Sequence, residues 1–304
     1  MNTSKTQDTS LNGLSQQLLA KYAKELGVSE SALNSFFKII DAQHVPLKEL
    51  DSKLHEIADS FQVLMLRLGA MHSEDPQVIR LKGHARRVLL TSCAYAQAEY
   101  LLNQAAAYDL YAIEQVDDAA RQHRLSAAAT HADNAQLQRV QLCYAEAAEY
   151  FKKAAEILPL DHQYKQERAD YLGKAGYDFH RAARYSAALA LYEQSLAIRR
   201  DLDHKSGEGT LLPSTGKIYR VRGDNATTLQ RYEQSLALSR KLGTKADEAV
   251  ICWNIGGIYQ EQNELSKAEE YISRTVQLDE EIGLPDLAED REALARIRAQ
   301  LQGL

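Results

Sequence analysis

Residues 192–198 read Tyr-Glu-Gln-Ser-Leu-Ala-Ile, and 40 positions later residues 232–238 read Tyr-Glu-Gln-Ser-Leu-Ala-Leu. The block returns a third time, altered, as Ile272-Ser273-Arg274-Thr275-Val276-Gln277-Leu278. A fixed period of this size marks a solenoid, in which each unit buries its apolar face only against its neighbours. Such an array favours an extended binding surface over a catalytic pocket. The period therefore constrains the architecture while leaving the partner unnamed.

Only 15 Gly and 5 Pro punctuate 304 residues, and long runs are rich in Ala, Leu, Glu, Gln and Lys. Helix is expected almost throughout. The net charge of −6 argues against non-specific affinity for nucleic acid. Cys93, Cys143 and Cys252 form no metal-type spacing, and an odd count suits a reducing compartment. The opening stretch Met1–Asp8 lacks a signal-peptide core, and no apolar run reaches membrane-spanning length. A cytoplasmic protein without membrane contact is the expectation.

Each repeat resolves into two helices. The first carries a small residue with an aromatic three positions on: Gly176 with Phe179, Gly216 with Tyr219, Gly256 with Tyr259. The second carries a small residue at Ala188, Thr228 or Ala268, a knob at Tyr192, Tyr232 or Ile272, and another small residue at Ser195, Ser235 or Thr275. Small residues at these spacings let antiparallel helices approach closely, and the large ones fill the gap beside them. The turns Arg222-Gly223-Asp224-Asn225 and Gln262-Asn263-Glu264 tolerate tight backbone geometry. Each unit closes at Leu202, Leu242 or Ile282; Gly243 and Gly283 then occupy the helix C-cap position, where the first unit has Asp203.

These small–aromatic–small residues resemble the tetratricopeptide repeat (TPR), and the 40-residue period resembles its longer, kinesin-light-chain-like variant. Asn254-Ile255-Gly256-Gly257-Ile258-Tyr259 matches the first helix of such repeats closely. The resemblance implies an all-α superhelix of antiparallel helix pairs, with an N-terminal helical segment and a C-terminal capping helix. Its strongest part is a TPR array over residues 165–283. Degenerate helix pairs are expected over 75–164, where Tyr144–Ala155 followed by Pro159 reads as a second helix with its terminator, and Tyr95–Leu102 places Ala98 at a small position.

Residues 1–74 show no repeat. Apolar spacing predicts helices over 14–26, 29–42, 46–70 and 76–91, with Ser29 as an N-cap and Glu30 in the first turn. Leu47, Leu50, Leu54, Ile57, Phe61, Leu64 and Leu68 form an amphipathic stripe. The segment resembles the helical leader ahead of TPR arrays in some bacterial proteins. Over 284–304, Pro285 starts a last helix that puts Leu294, Ile297 and Leu301 on one side and covers the open end of the array.

No catalytic constellation is present. The nine histidines have no metal spacing, and His123 and His131 read as surface or core side chains. There is no phosphate-binding glycine loop and no Gly-x-Ser-x-Gly elbow. No cofactor or metal is expected. Arg222-Gly223-Asp224 matches an adhesion tripeptide but falls in an inter-helix turn, where Gly and Asp are expected anyway. Residues 19–33 look like a helix-turn-helix, yet residues 29–42 offer only Lys38 against Glu30 and Asp41, too little for phosphate contact.

Carrying the family's positions across, the concave face shows Lys174, Tyr177 and Arg181 in one unit, Lys217 and Arg220 in the next, and Trp253, Asn254 and Gln260 in the last. Such a groove suits a peptide or protein segment of acidic character. Trp253 either faces it or packs between repeats. The Lys/Asn clamp of chaperone-binding TPR proteins is reproduced only in part, since one position reads Lys174, Ser214, Asn254 and the next Tyr177, Lys217, Gly257. The implied function is a non-enzymatic protein-interaction module with a protein or peptide partner. The alternatives are a transcriptional or peptide-sensing regulator with an N-terminal DNA-binding element, and a self-associating scaffold. Pro213 should delay or kink the first helix of its unit and loosen residues 208–216.

Overall fold

The computed structural model describes residues 16–70, 73–113, 117–283 and 287–303, among which every regular element is a helix. The opening stretch Met1–Asp8 and Pro285 lie outside the described residues. Two compact units divide the chain, Met1–Arg184 and Tyr185–Leu304.

The first unit holds α1 (Gln16–Glu25), α2 (Glu30–Ala42), α3 (Leu50–Ala70), α4 (Pro76–Ser92), α5 (Tyr95–Ile113), α6 (Asp117–Val140), α7 (Tyr144–Ile157) and α8 (Lys165–Arg181). Sequence signals mark several boundaries. The Ser29 hydroxyl caps α2 by accepting from the Ala32 amide at 3.2 Å. Asp75 caps α4 by accepting from the Gln77 amide at 2.8 Å, with Pro76 as the first helical residue. The helix expected from residue 46 opens as one 3₁₀ turn, Leu47–Glu49, before α3 proper.

The stripe on α3 is the keel of this unit. Leu54, Ile57, Phe61, Leu64 and Leu68 are all buried, in one core with Leu33, Phe36 and Ile40 of α2 and Leu89 of α4. Phe36 and Phe61 meet edge to face, centroids 5.6 Å apart. The helix-turn-helix look-alike at α1–α2 thus turns one face of its second helix, Ala32, Leu33, Phe36, Phe37 and Ile40, into the core. From α4 onward, consecutive helices pack in pairs, and α3 also lies against α6. Ala98, Ala147, Ala148, Phe151, Ala154 and Ala155 are buried, as the degenerate pairs require.

The second unit holds α9 (Tyr185–Asp201), α10 (Lys205–Val221), α11 (Asn225–Leu242), α12 (Lys245–Glu261), α13 (Leu265–Ile282) and α14 (Leu287–Leu301). First helices begin at 165, 205 and 245 and second helices at 185, 225 and 265, so the 40-residue period is reproduced helix by helix. The small–large pairing has a direct geometric cause. A Cβ added at Gly216 would stand 2.8 Å from the Tyr232 ring, and one at Gly256 would stand 2.6 Å from Ile272 Cδ1. Any larger residue at either glycine would force the Tyr232 ring or the Ile272 side chain out of its place in the helix pair. The small polar residues of the second helices are buried, and their hydroxyls reach across the pair: Thr228 Oγ1 shares its proton between the Asp224 carbonyl at 2.8 Å and that of Gly216 at 3.2 Å, and Thr275 Oγ1 between those of Tyr271 at 3.2 Å and Ala249 at 3.3 Å.

Gly243 and Gly283 close their helices in the left-handed region, at φ of 72° and 70°, and Asp203 adopts the same conformation at 50°. In the adhesion-like tripeptide, Gly223 supplies the turn at φ 78° and Asp224 caps α11 through the Thr227 amide at 3.0 Å. The expectation that α10 starts late is corrected: the helix begins at Lys205 and runs through Pro213. On α14, Leu294 and Ile297 are buried against Ile272 and Val276, as a cap requires. Leu301, expected on the same side, is exposed because the helix ends at that residue.

Candidate functional site

The eight candidate residues fall on three helices, and each set is described within its own unit. Lys174, Tyr177 and Arg181 follow one another at helical spacing along α8. Arg181 is engaged internally: its Nη2 donates to Glu56 Oε2 of α3 at 2.9 Å and to the Tyr144 hydroxyl of α7 at 3.3 Å. Its guanidinium lies 4.8 Å from the Tyr144 ring centre. Glu56 also accepts from Lys53 Nζ at 2.7 Å and from the Tyr144 hydroxyl. Burial works to raise the Glu56 carboxyl, but the hydrogen bonds from Lys53, Tyr144 and Arg181 together hold it below its ordinary value. Tyr177 is half-exposed, and its hydroxyl accepts from Arg181 Nη1 at 3.2 Å.

Lys174 is different. The residue reaches the surface, but its ammonium is partly withdrawn from water, 5.7 Å from the ring centres of both Phe151 and Tyr171. It makes no ion pair among the described residues. Loss of water lowers its pKa, and the nearby guanidinium groups of Arg67 and Arg139 lower it further. Both of those arginines already hold carboxylates. Arg67 Nε donates to Asp133 at 2.7 Å, and Arg139 Nε donates to both oxygens of Asp178 at 2.8 and 2.9 Å. The environment of Lys174 is therefore one in which an added anion is favoured.

In the second unit, Lys217 on α10 is exposed and makes no ion pair among the described residues, whereas Arg220 is paired with Glu261 of α12. On α12, Gln260 is exposed, and Asn254 Nδ2 donates to the Val250 carbonyl of its own helix at 2.7 Å. Trp253 is 39% exposed and lines a cavity of about 220 Å³ between α12, α13 and α14. The same cavity is bounded by Val250, Thr275, Asp279, Glu289 and Asp290, so its charge is negative.

No family model matches the sequence, and no curated protein matches it. Solved structures do. BtubC from P. vanneervenii superposes with a TM-score of 0.51 at 15% identity, over 66% of this chain and 84% of that one. A kinesin-light-chain-like protein from Podosopora anserina, built of nearly identical TPR-like repeats, superposes at 0.50 with 17% identity, over 69% and 98%. Its Q17M variant gives 0.51 at 16% identity, over 69% and 99%. The fold is a TPR-like helical repeat array.

Several polar features of this TPR-like array carry no motif. Lys82 of α4 is 1% exposed and donates at 3.1 Å to Asp133 of α6, itself fully buried and also bonded to Arg67 of α3. Each is an ordinary charged residue in an amphipathic helix, and only the long-range packing of α3, α4 and α6 reveals the triad. His123 and His131 diverge. Nδ1 of His123 lies 3.0 Å from Asp109 of α5, while His131 stacks on Tyr150 of α7. Among the described residues no group of three or more His, Cys, Asp or Glu side chains is arranged to hold a metal, and no helix is long and apolar enough to cross a membrane.

Proposed function

We propose that this chain is a non-enzymatic protein-interaction module that binds an acidic peptide or protein segment on the first-helix surfaces of its repeats. The observation that carries this reading is Lys174, whose ammonium stands 5.7 Å from two aromatic ring centres and beside two guanidinium groups whose carboxylate partners are already assigned. A carboxylate arriving there gains a charge-assisted hydrogen bond without displacing an internal partner. Tyr177 supplies adjoining amphipathic surface. Arg181, held by Glu56 and Tyr144, acts mainly by keeping that surface in place. On the second unit, Lys217 offers a second unpaired cation, with Arg220, Trp253, Asn254 and Gln260 on the same pair of first helices.

The test is fluorescence anisotropy of the full chain with labelled peptides of equal length that are Glu/Asp-rich, neutral or Lys-rich. Preferential binding of the acidic peptide, weakened about tenfold or more in Lys174→Glu, is the expected result. Binding that ignores peptide charge, or that survives Lys174→Glu unchanged, overturns the assignment.

A further inference from the structure

The cavity beside Trp253 carries the opposite charge and takes a different ligand. Three acidic residues, Asp279, Glu289 and Asp290, line it together with Trp253 and Thr275. Asp279 is 3% exposed, and its Oδ1 is buried without a hydrogen-bond partner among the described residues. A carboxylate oxygen desolvated in this way leaves its strongest interaction unmade, and the group that best supplies it is a cation with N–H donors.

Among the described residues no basic side chain of the surrounding helices pairs with Asp279. Lys245 is paired with Glu281, Arg274 with Glu248, Arg291 with Glu280 and Arg298 with Glu269. Among the described residues no basic one lines the cavity. Its volume of about 220 Å³ is smaller than the ~300–1,000 Å³ of drug-sized sites, which suits one slender side chain or amine. The half-exposed indole adds an electron-rich face at the mouth, where a cation is attracted to the ring.

We infer that this cavity is a binding site for an organic cation: an ammonium or guanidinium on a short aliphatic stem, its head on Asp279 and its stem against Trp253 and Val250. Both a Lys or Arg side chain of a partner peptide and a free alkylamine carry this chemistry. The site stands on Asp279, Glu289 and Asp290, which the acidic-segment reading does not use; only Trp253 is common to both, and the charge preference is opposite.

Trp253 is the only tryptophan in the chain. Its emission, excited where tyrosine does not absorb, reports on the cavity in the intact protein. Titration with Nα-acetyl-lysine methylamide and Nα-acetyl-arginine methylamide represents the peptide source, and titration with putrescine the free amine, all at constant ionic strength. A saturable change with at least one of these cations and none with the norleucine analogue is expected, and the responding arm names the source. Asp279→Asn, which removes a charge and no internal bond, should weaken binding about tenfold or more while leaving thermal unfolding no lower. Glu289→Gln, at an exposed position, should weaken it severalfold with the fold intact. The inference is overturned if all three cations behave like norleucine, if magnesium or calcium gives the response instead, or if Asp279→Asn binds as the wild type does.

Discussion

Ser235 Oγ donates to the Gly209 carbonyl at 2.8 Å, and Gly209 is the residue whose carbonyl Pro213 leaves without its helical amide. The second helix of the pair thus supplies the hydrogen bond that the first helix lacks, and α10 continues unbroken from Lys205 to Val221. One unit later, Thr275 makes the same approach to Ala249 at 3.3 Å, where no proline intervenes. Ser235→Ala should therefore cost about 1–2 kcal/mol, because it leaves a partly buried carbonyl without its donor. Thr275→Ser, which keeps the hydroxyl, should cost less. Denaturant unfolding measures both. In Ser235→Ala, hydrogen exchange should accelerate across 208–216 more than across 248–256.

The turn after α8 places Ala183 at φ 56°, where the turns one and two periods later place Gly223 at 78° and Asn263 at 59°. Alanine has no side-chain hydrogen bond to offset the left-handed conformation, which costs an L-residue about 1–2 kcal/mol. Ala183→Gly relieves that strain against a smaller loss from the freer unfolded chain, so a net gain of roughly 0.5–1 kcal/mol is expected. Gly223→Ala, the reverse change at an equivalent turn, should lose a similar amount. Equality of the two signs in thermal melting would remove strain as the explanation.

Asp133 holds two cations in the interior of the first unit, Lys82 at 3.1 Å and Arg67 at 2.7 Å. Removing it leaves the buried ammonium of Lys82 uncompensated. Asp133→Ala is expected to destabilise by about 3–5 kcal/mol, and Lys82→Met in the same background should recover part of it. Failure of the second change to restore any stability would show that the cost comes from packing instead.

The periodic part of this fold was legible because each repeat position has one physical job. Gly216 and Gly256 are small because Tyr232 and Ile272 occupy the space beside them, and Gly243 and Gly283 sit at the left-handed turn that ends a helix. The stripe on α3 was legible for the same reason, since burial of one face leaves a spacing of three and four. What the stripe lies against was not. Nothing local to Glu56 or Arg67 points to Arg181 or Asp133, 125 and 66 residues away. Pro213 was read correctly as a missing hydrogen bond, but its remedy lay in Ser235, a residue that the period explains as merely small. At the candidate surfaces, residue type was visible and charge balance was not: Arg220 has Glu261, whereas Lys174 and Lys217 keep no counter-ion among the described residues.

The first unit contains two groups whose titration should move stability in opposite directions. Burial, reinforced by the charge of Lys153, lowers His131 to about 4, so this ring stays neutral in the fold while it protonates in the unfolded chain below about 6.5. As pH falls from 6.5 toward 4, the unfolded state gains a proton that the folded state refuses, and stability is lost. Asp178 behaves inversely. Burial raises its carboxyl to about 6 despite Arg139, so over pH 6 to about 4 the folded state takes the proton first and stability is gained on acidification. They act together with Glu56, held below its ordinary value, and Asp109, held above it by burial, in setting the wild-type slope. His131→Gln should remove this part of the acid loss, so the variant loses less stability than the wild type as pH falls from 6.5 to 4, by at most about 3 kcal/mol at the acid end. Urea unfolding at pH 4.5 and pH 7 on wild type and His131→Gln reads this directly. An identical pH slope in the two proteins would mean that His131 protonates as easily in the fold as in water, and that its contact with Tyr150 does not exclude solvent.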